Sequence, residues 1–139
     1  MMKKIIPLIA LATLLFPLSS CAQRVVFVKS TVAPAAQGVV KIRKDSNKNY
    51  MIKIHIVNLA DPGRLTPPMN AYVVWAVTDD NVPKNIGQIK SSKSFLIRKL
   101  NGDFESVTVI KPTKIFITAE NDVSIQYMHS EIILTTNNF

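Results

Sequence analysis

The 139-residue chain sets 17 Lys and Arg against 9 Asp and Glu, a formal net charge of +8, with 47% hydrophobic residues and one cysteine. One cysteine excludes an intrachain disulfide framework and a thiolate-rich metal site, and the length suits a single domain with its own core. A chain this basic can attract nucleic acid through phosphate contacts, but its first twenty residues argue for export and against that partner.

Met1, Met2, Lys3 and Lys4 form a short cationic start, followed by an apolar run from Ile5 to Leu18 broken by Pro7, Thr13 and Pro17. The run is shorter than the ~20 residues of a membrane-spanning helix and has the layout of a secretion signal. It ends Leu18-Ser19-Ser20-Cys21, with small residues before a cut and a cysteine at it. That ending resembles the lipobox of bacterial lipoproteins. The resemblance implies that residues 1–20 are a removed signal peptide and residues 21–139 the mature chain. It also implies that Cys21 is the lipidation site, carrying diacylglycerol and palmitate. One acyl chain binds marginally whereas two or three anchor stably. Ala22, not Asp, follows the cysteine, which implies the outer membrane and a position facing the periplasm. Without Lys3 and Lys4 the mature charge is about +6, and each Lys or Arg near a bilayer gains about 1 kcal/mol from anionic headgroups.

Residues 24–33 are rich in β-branched side chains and begin almost at the anchor, so little linker separates domain from bilayer. Gly38 to Lys44 puts Val40 and Ile42 on one face and Lys41 and Arg43 on the other. Asp45 to Asn49 is turn chemistry. Tyr50 to Leu59 then alternates, with Tyr50, Ile52, Ile54 and Ile56 opposite Met51, Lys53 and His55. Two alternating runs about a short polar turn predict a hairpin, buried on one face and wet on the other.

Ala60 to Asn70, with Asp61-Pro62-Gly63 and Pro67-Pro68, predicts a crossing between sheets that is neither helix nor strand. Ala71 to Thr78 is apolar on both faces, as a central strand requires. Asp79 to Pro83 turns the chain, and Asn85 to Lys90 is a short strand holding Gly87. Ser94 to Leu100 and Phe104 to Ile110 are expected as strands about a tight turn at Asn101-Gly102-Asp103. Lys114 to Glu120 puts Ile115, Ile117 and Ala119 on one side, Asn121-Asp122 turns, and Ser130 to Thr136 closes the chain. No segment sustains helical periodicity. The expected fold is all-β: a single antiparallel, immunoglobulin-like β-sandwich after the signal peptide.

The order Tyr72-Val73-Val74-Trp75, then Ile86-Gly87-Gln88-Ile89, then Ile115 to Glu120, and finally Ser130 to Leu134 resembles the extracytoplasmic domain of anti-sigma-K-type factors. The resemblance covers residues 37–136 and implies a β-sandwich held outside the membrane, with a sensing or regulatory role as the alternative function. A transmembrane helix and a cytoplasmic sigma-binding segment are missing from this sequence, so only the envelope module carries over.

Trp75 and Tyr72 fall on opposite faces of one strand, and a Trp on such a strand belongs to a core. His55 and His129 lack ligand partners at metal spacing, and Asp79-Asp80-Asn81 and Asn121-Asp122 lack the spaced carboxylates of a calcium loop. None of G-x-S-x-G, H-E-x-x-H or a glycine-rich phosphate loop occurs. The expectation is therefore a non-enzymatic envelope module with no catalytic residues, no metal and no cofactor. Lys41, Arg43, Lys53 and His55 share the wet face of the hairpin and predict contact with an anionic surface, either lipid or cell-wall polymer. The expected partners are membrane lipid through Cys21 and an envelope protein or anionic polymer.

Overall fold

A computed structural model describes residues 21–93 and 100–139. The expected signal segment lies outside the described residues, as does the expected strand from Ser94 apart from Leu100. The described residues hold nine strands: β1 (Gln23–Val26), β2 (Gln37–Lys44), β3 (Tyr50–Leu59), β4 (Ala71–Val77), β5 (Pro83–Gln88), β6 (Lys90–Lys93), β7 (Leu100–Thr108), β8 (Lys114–Glu120) and β9 (Ile132–Thr135). They form two antiparallel sheets, β1-β2-β3-β7-β6 and β5-β4-β8-β9. The runs β2-β3-β7-β6 and β4-β8-β9 reproduce the ABED and CFG sheets of an immunoglobulin sandwich, with β5 added beside C and β1 outside A.

Alternation in the sequence explains the packing. Val25, Val40, Ile54 and Phe104 stand in one row across four strands, and Ile52 and Ile56 lie on the same face of β3. These meet Tyr72, Val74 and Ala76 of β4 and Ile115, Ile117 and Ala119 of β8 in one core. Each fully buried isoleucine contributes roughly 1.5–3 kcal/mol. The β2–β3 hairpin forms as expected. Its turn is closed by Asp45, whose carboxylate accepts the backbone N–H groups of Asn47 and Asn49.

The chain changes sheet at both ends of the sandwich. Past β1, Phe27 bridges to Thr136 and the Val28 N–H donates to the Thr135 carbonyl, closing the sandwich at β9. The segment from Ala60 to Asn70 crosses between sheets, and Asp61 caps one turn of 3-10 helix at Pro62–Arg64. The expectation of no helix there is corrected to that extent, because Pro is tolerated at a helix's first position.

Two other expectations are overturned. Asn85 to Lys90 is not one strand. At Gly87 the backbone takes φ +135°, which favours glycine, and the register of β4 against β5 shifts beside it. Ile89 then donates its N–H to Tyr72 while Lys90 begins pairing in the other sheet. Asn101-Gly102-Asp103 is not a turn either. It runs straight through β7, pairing with β3 on one side and β6 on the other. Glycine is used there for space: a Cβ on Gly102 would stand 2.6 Å from Ile89 Cγ2 and 3.1 Å from Leu59 Cδ2.

That spacing fixes an outcome. Gly102→Ala overpacks the site and lowers stability by about 1–3 kcal/mol, read as a lower urea midpoint at unchanged slope. An unaltered midpoint would mean that β7 does not lie against Ile89.

Candidate anionic-ligand face

The outer face of the first sheet is built by register. Arg24, Lys41, Lys53 and Glu105 form one row across β1, β2, β3 and β7. Val39, His55, Asp103 and Lys90 form the next, and Arg43 lies in the row of Met51 and Val107. The structure thus puts Lys41, Arg43, Lys53 and His55 on one exposed face, as their alternation requires. It adds Arg24 and Lys90, which sequence reading missed. Arg24 was hidden in a β-branched run, and Lys90 belongs to a strand whose sheet only the Gly87 crossover reveals.

Two of the four expected residues carry carboxylate partners. Lys53 Nζ is 3.4 Å from Glu105 and His55 Nδ1 is 2.6 Å from Asp103. His55 is not isolated, contrary to expectation: its partner lies 48 positions away, within the turn-like composition of Asn101-Gly102-Asp103. Both pairs are more than half exposed, so each is worth only about 0–1 kcal/mol. Among the described residues Arg24, Lys41 and Arg43 make no ion pair. Like charges directly opposite one another destabilise a sheet, and here Arg24, Lys41 and Lys53 stand side by side. A groove of about 830 Å³ opens along these rows, lined by Arg24, Lys41, Lys53, His55 and Lys90. Asp103 and Glu105 of β7 also line it, between the cations of β3 and Lys90 of β6, together with Ile54, Ile86, Gly87 and Phe104.

The outer face of the second sheet is closed instead. Trp75 stacks on Phe116 with ring centroids 6.1 Å apart, and its Nε1–H donates to Thr118 at 2.9 Å. Trp75 and Thr118 are fully buried there with Val73. The segment 121–131 lies over them. Ile125 packs against the cluster, and Asn85 donates from Nδ2 to the carbonyls of Val123 and Ile125. Buried Glu120 ties the segment's two ends, accepting from the His129 and Ser130 N–H groups and from the Ser130 hydroxyl. Tyr72, on the inner face, donates to the Ala60 carbonyl at 2.8 Å. Burial, aided by Asp61, pushes its phenol up to about 12.

The acidic turns are turn chemistry. Asp80 accepts from Lys84, the Val82 N–H and the Thr78 hydroxyl, which lower its carboxyl to about 2. Asp122 is lowered by the Ser124 hydroxyl and N–H. Among the described residues, no three His, Cys, Asp or Glu are grouped to hold a metal, and no helix is long and apolar enough to cross a membrane. Cys21 is exposed, two residues ahead of β1. Searches of protein families, characterised proteins and solved structures each found no match to the chain.

Glu120→Ala removes the tie across segment 121–131 and costs about 1–3 kcal/mol. Because Trp75 is the only tryptophan, acrylamide quenching of its emission should rise in that variant. Quenching as slow as in the parent chain would separate Glu120 from the cover over Trp75.

The Asp80 carboxyl sits below its ordinary 3.8, so its contribution to stability is present above pH 3.8 and is lost as pH falls towards 2. Carboxyl-detected NMR should find its midpoint near 2, moving up in Lys84→Met because Lys84 supplies the largest lowering. A midpoint that stays put would remove Lys84 from the account.

Proposed function

We propose that the chain is a non-enzymatic, lipid-anchored module of the bacterial envelope. On this reading Cys21 holds it to the membrane and the outer face of β1-β2-β3-β7 binds an anionic polymer. The observation that carries the reading is the groove of about 830 Å³ whose rim gathers Arg24, Lys41, Lys53 and Lys90. Three of these cations are cross-strand neighbours, an arrangement that works against the sheet and favours a negative ligand laid across the strands. Phosphate or carboxylate groups repeated along a chain match a row of point charges, and exposed lysines and arginines accept them without a shaped pocket. Attachment through Cys21 rests on the Leu18-Ser19-Ser20-Cys21 ending, and the envelope setting follows from it. The absence of enzymatic activity rests on the lack of a recognisable catalytic constellation in the sequence.

The full-length protein in detergent, titrated with polyphosphate and with neutral dextran as control, tests the reading. Binding of polyphosphate should weaken steeply as salt rises through the range where the Debye length falls below about 10 Å. The double reversal Arg24→Glu with Lys41→Glu should weaken it by about tenfold or more, a factor of ten being 1.4 kcal/mol. Asp103→Asn with Glu105→Gln should tighten it, because Lys53 and His55 lose their competing partners. Reversal of Arg64, exposed on the 3-10 turn, should change nothing. Equal loss from Arg64→Glu and from the face variants would reduce the effect to net charge and retire the site.

A further inference from the structure

The register places Cys21 at one end of the sandwich together with an exposed apolar surface. β1 opens here with Gln23 opposite Ile42, two residues short of Lys44 at the end of β2, and Cys21 lies two residues ahead of Gln23. Lys44 pairs with Tyr50, and Tyr50 with Thr108. Directly after Thr108 come Val109, 77% exposed, and Ile110, 51% exposed, with Val107 at 52% just before. The β4–β5 turn lies at this end too, since Val77 pairs with both Pro83 and Lys114, and it presents Val82 at 50% exposure. A second groove of about 460 Å³ joins the two sheets here, lined by Thr78, Lys84, Val109 and Ile110 among others. Exposed aliphatic side chains gathered at one end of a domain mark a surface that meets something apolar.

Charge at this end points to the occupant. Arg43, Lys44, Lys48 and Lys111 are exposed around the aliphatic tip. Of the carboxylates here, Asp80 is paired with Lys84 at 2.9 Å and Asp45 accepts two backbone N–H groups, while Asp79 is exposed. Aliphatic residues ringed by cations fit the boundary between acyl chains and anionic headgroups.

We infer that this end of the sandwich docks on the bilayer, with the Val109-Ile110 tip entering the interface of an anionic leaflet. The inference rests on the reading of Cys21 as the lipid anchor, which would deliver the tip to that surface. Anchor and tip then act as two signals in one leaflet, and the domain stands end-on rather than swinging on its tether.

Val109→Cys and Asn121→Cys, the second at the opposite end just beyond β8, each add one labelling position, because Cys21 is the only cysteine. The full-length acylated protein carries an environment-sensitive fluorophore at either position. It is reconstituted in phosphatidylglycerol–phosphatidylcholine vesicles containing lipids quenched at the headgroup and in the shallow acyl region. Docking predicts several-fold stronger quenching at 109 than at 121, reduced when Ile110→Ser and Lys111→Glu are combined. Equal quenching at both positions, or none, in protein whose mass carries diacylglycerol would overturn docking and leave the anchor intact. A mass without acyl chains would remove the anchor. Docking would then be judged in the Cys21→Ser background by adding the labelled protein to the same vesicles: selective quenching at 109 sustains it and its absence overturns it.

Discussion

A strand that is apolar on both faces needs two covers, and β4 obtains only one of them from the opposite sheet. Val73, Trp75 and Val77 point away from the sandwich interior, together with Phe116 of β8. Left in water, an aromatic ring of 150–250 Å² would forfeit on the order of 4–6 kcal/mol as an upper bound. Segment 121–131 supplies the missing cover through Ile125, and polar contacts hold it in place. Glu120 ties its ends and Asn85 reaches it from the other edge of the sheet. With no disulfide possible in a chain of one cysteine, this arrangement lets a modest domain bury a second apolar cluster.

The two sheets are consequently unlike. One is covered on both sides and carries its polar groups at its edges and turns. The other has a wet outer face, on which a cross-strand row of cations is displayed. Lys53 and His55 are partly offset by Glu105 and Asp103, so the charge left over concentrates on Arg24, Lys41 and Arg43 at the β1–β2 side. The offsets come from β7, a strand distant in sequence. The balance of the face is thus a property of the register between β3 and β7 and not of the hairpin alone.

Strands with strict alternation were legible: β2, β3 and β8 put the expected residues inward, and the apolar β4 was legible as central. What misled was residue chemistry that serves two ends. Asn101-Gly102-Asp103 has turn composition, but Gly102 is needed because Ile89 and Leu59 crowd the strand, a fact set by another segment. The crossover at Gly87 and Ile89 hinges on one backbone angle within a run that reads as a plain strand. For the face, Lys41, Arg43, Lys53 and His55 follow from period two, whereas Asp103, Glu105, Arg24 and Lys90 join only when strand order is known. The cover over Trp75 was illegible for a similar reason. Asn121 to Ser130 opens with turn residues and alternates too irregularly to read as a strand, and nothing local says that Glu120 and Asn85 will fold it back over the sheet.

The geometry also separates the two surfaces proposed for this protein. Strands rise about 3.4 Å per residue. Lys41 stands three residues along β2 from Lys44, and His55 five along β3 from Tyr50, which places their rows roughly 10 and 17 Å from the end that holds Cys21. At physiological ionic strength a charge is screened within about 8 Å. A domain standing with that end on a bilayer therefore brings Lys44 and Arg43 within reach of headgroups and leaves the rows of Lys41 and His55 beyond them. The groove then faces along the membrane rather than into it. A ligand for it must come from the space beside the bilayer, which favours a polymer of that space over the lipid beneath.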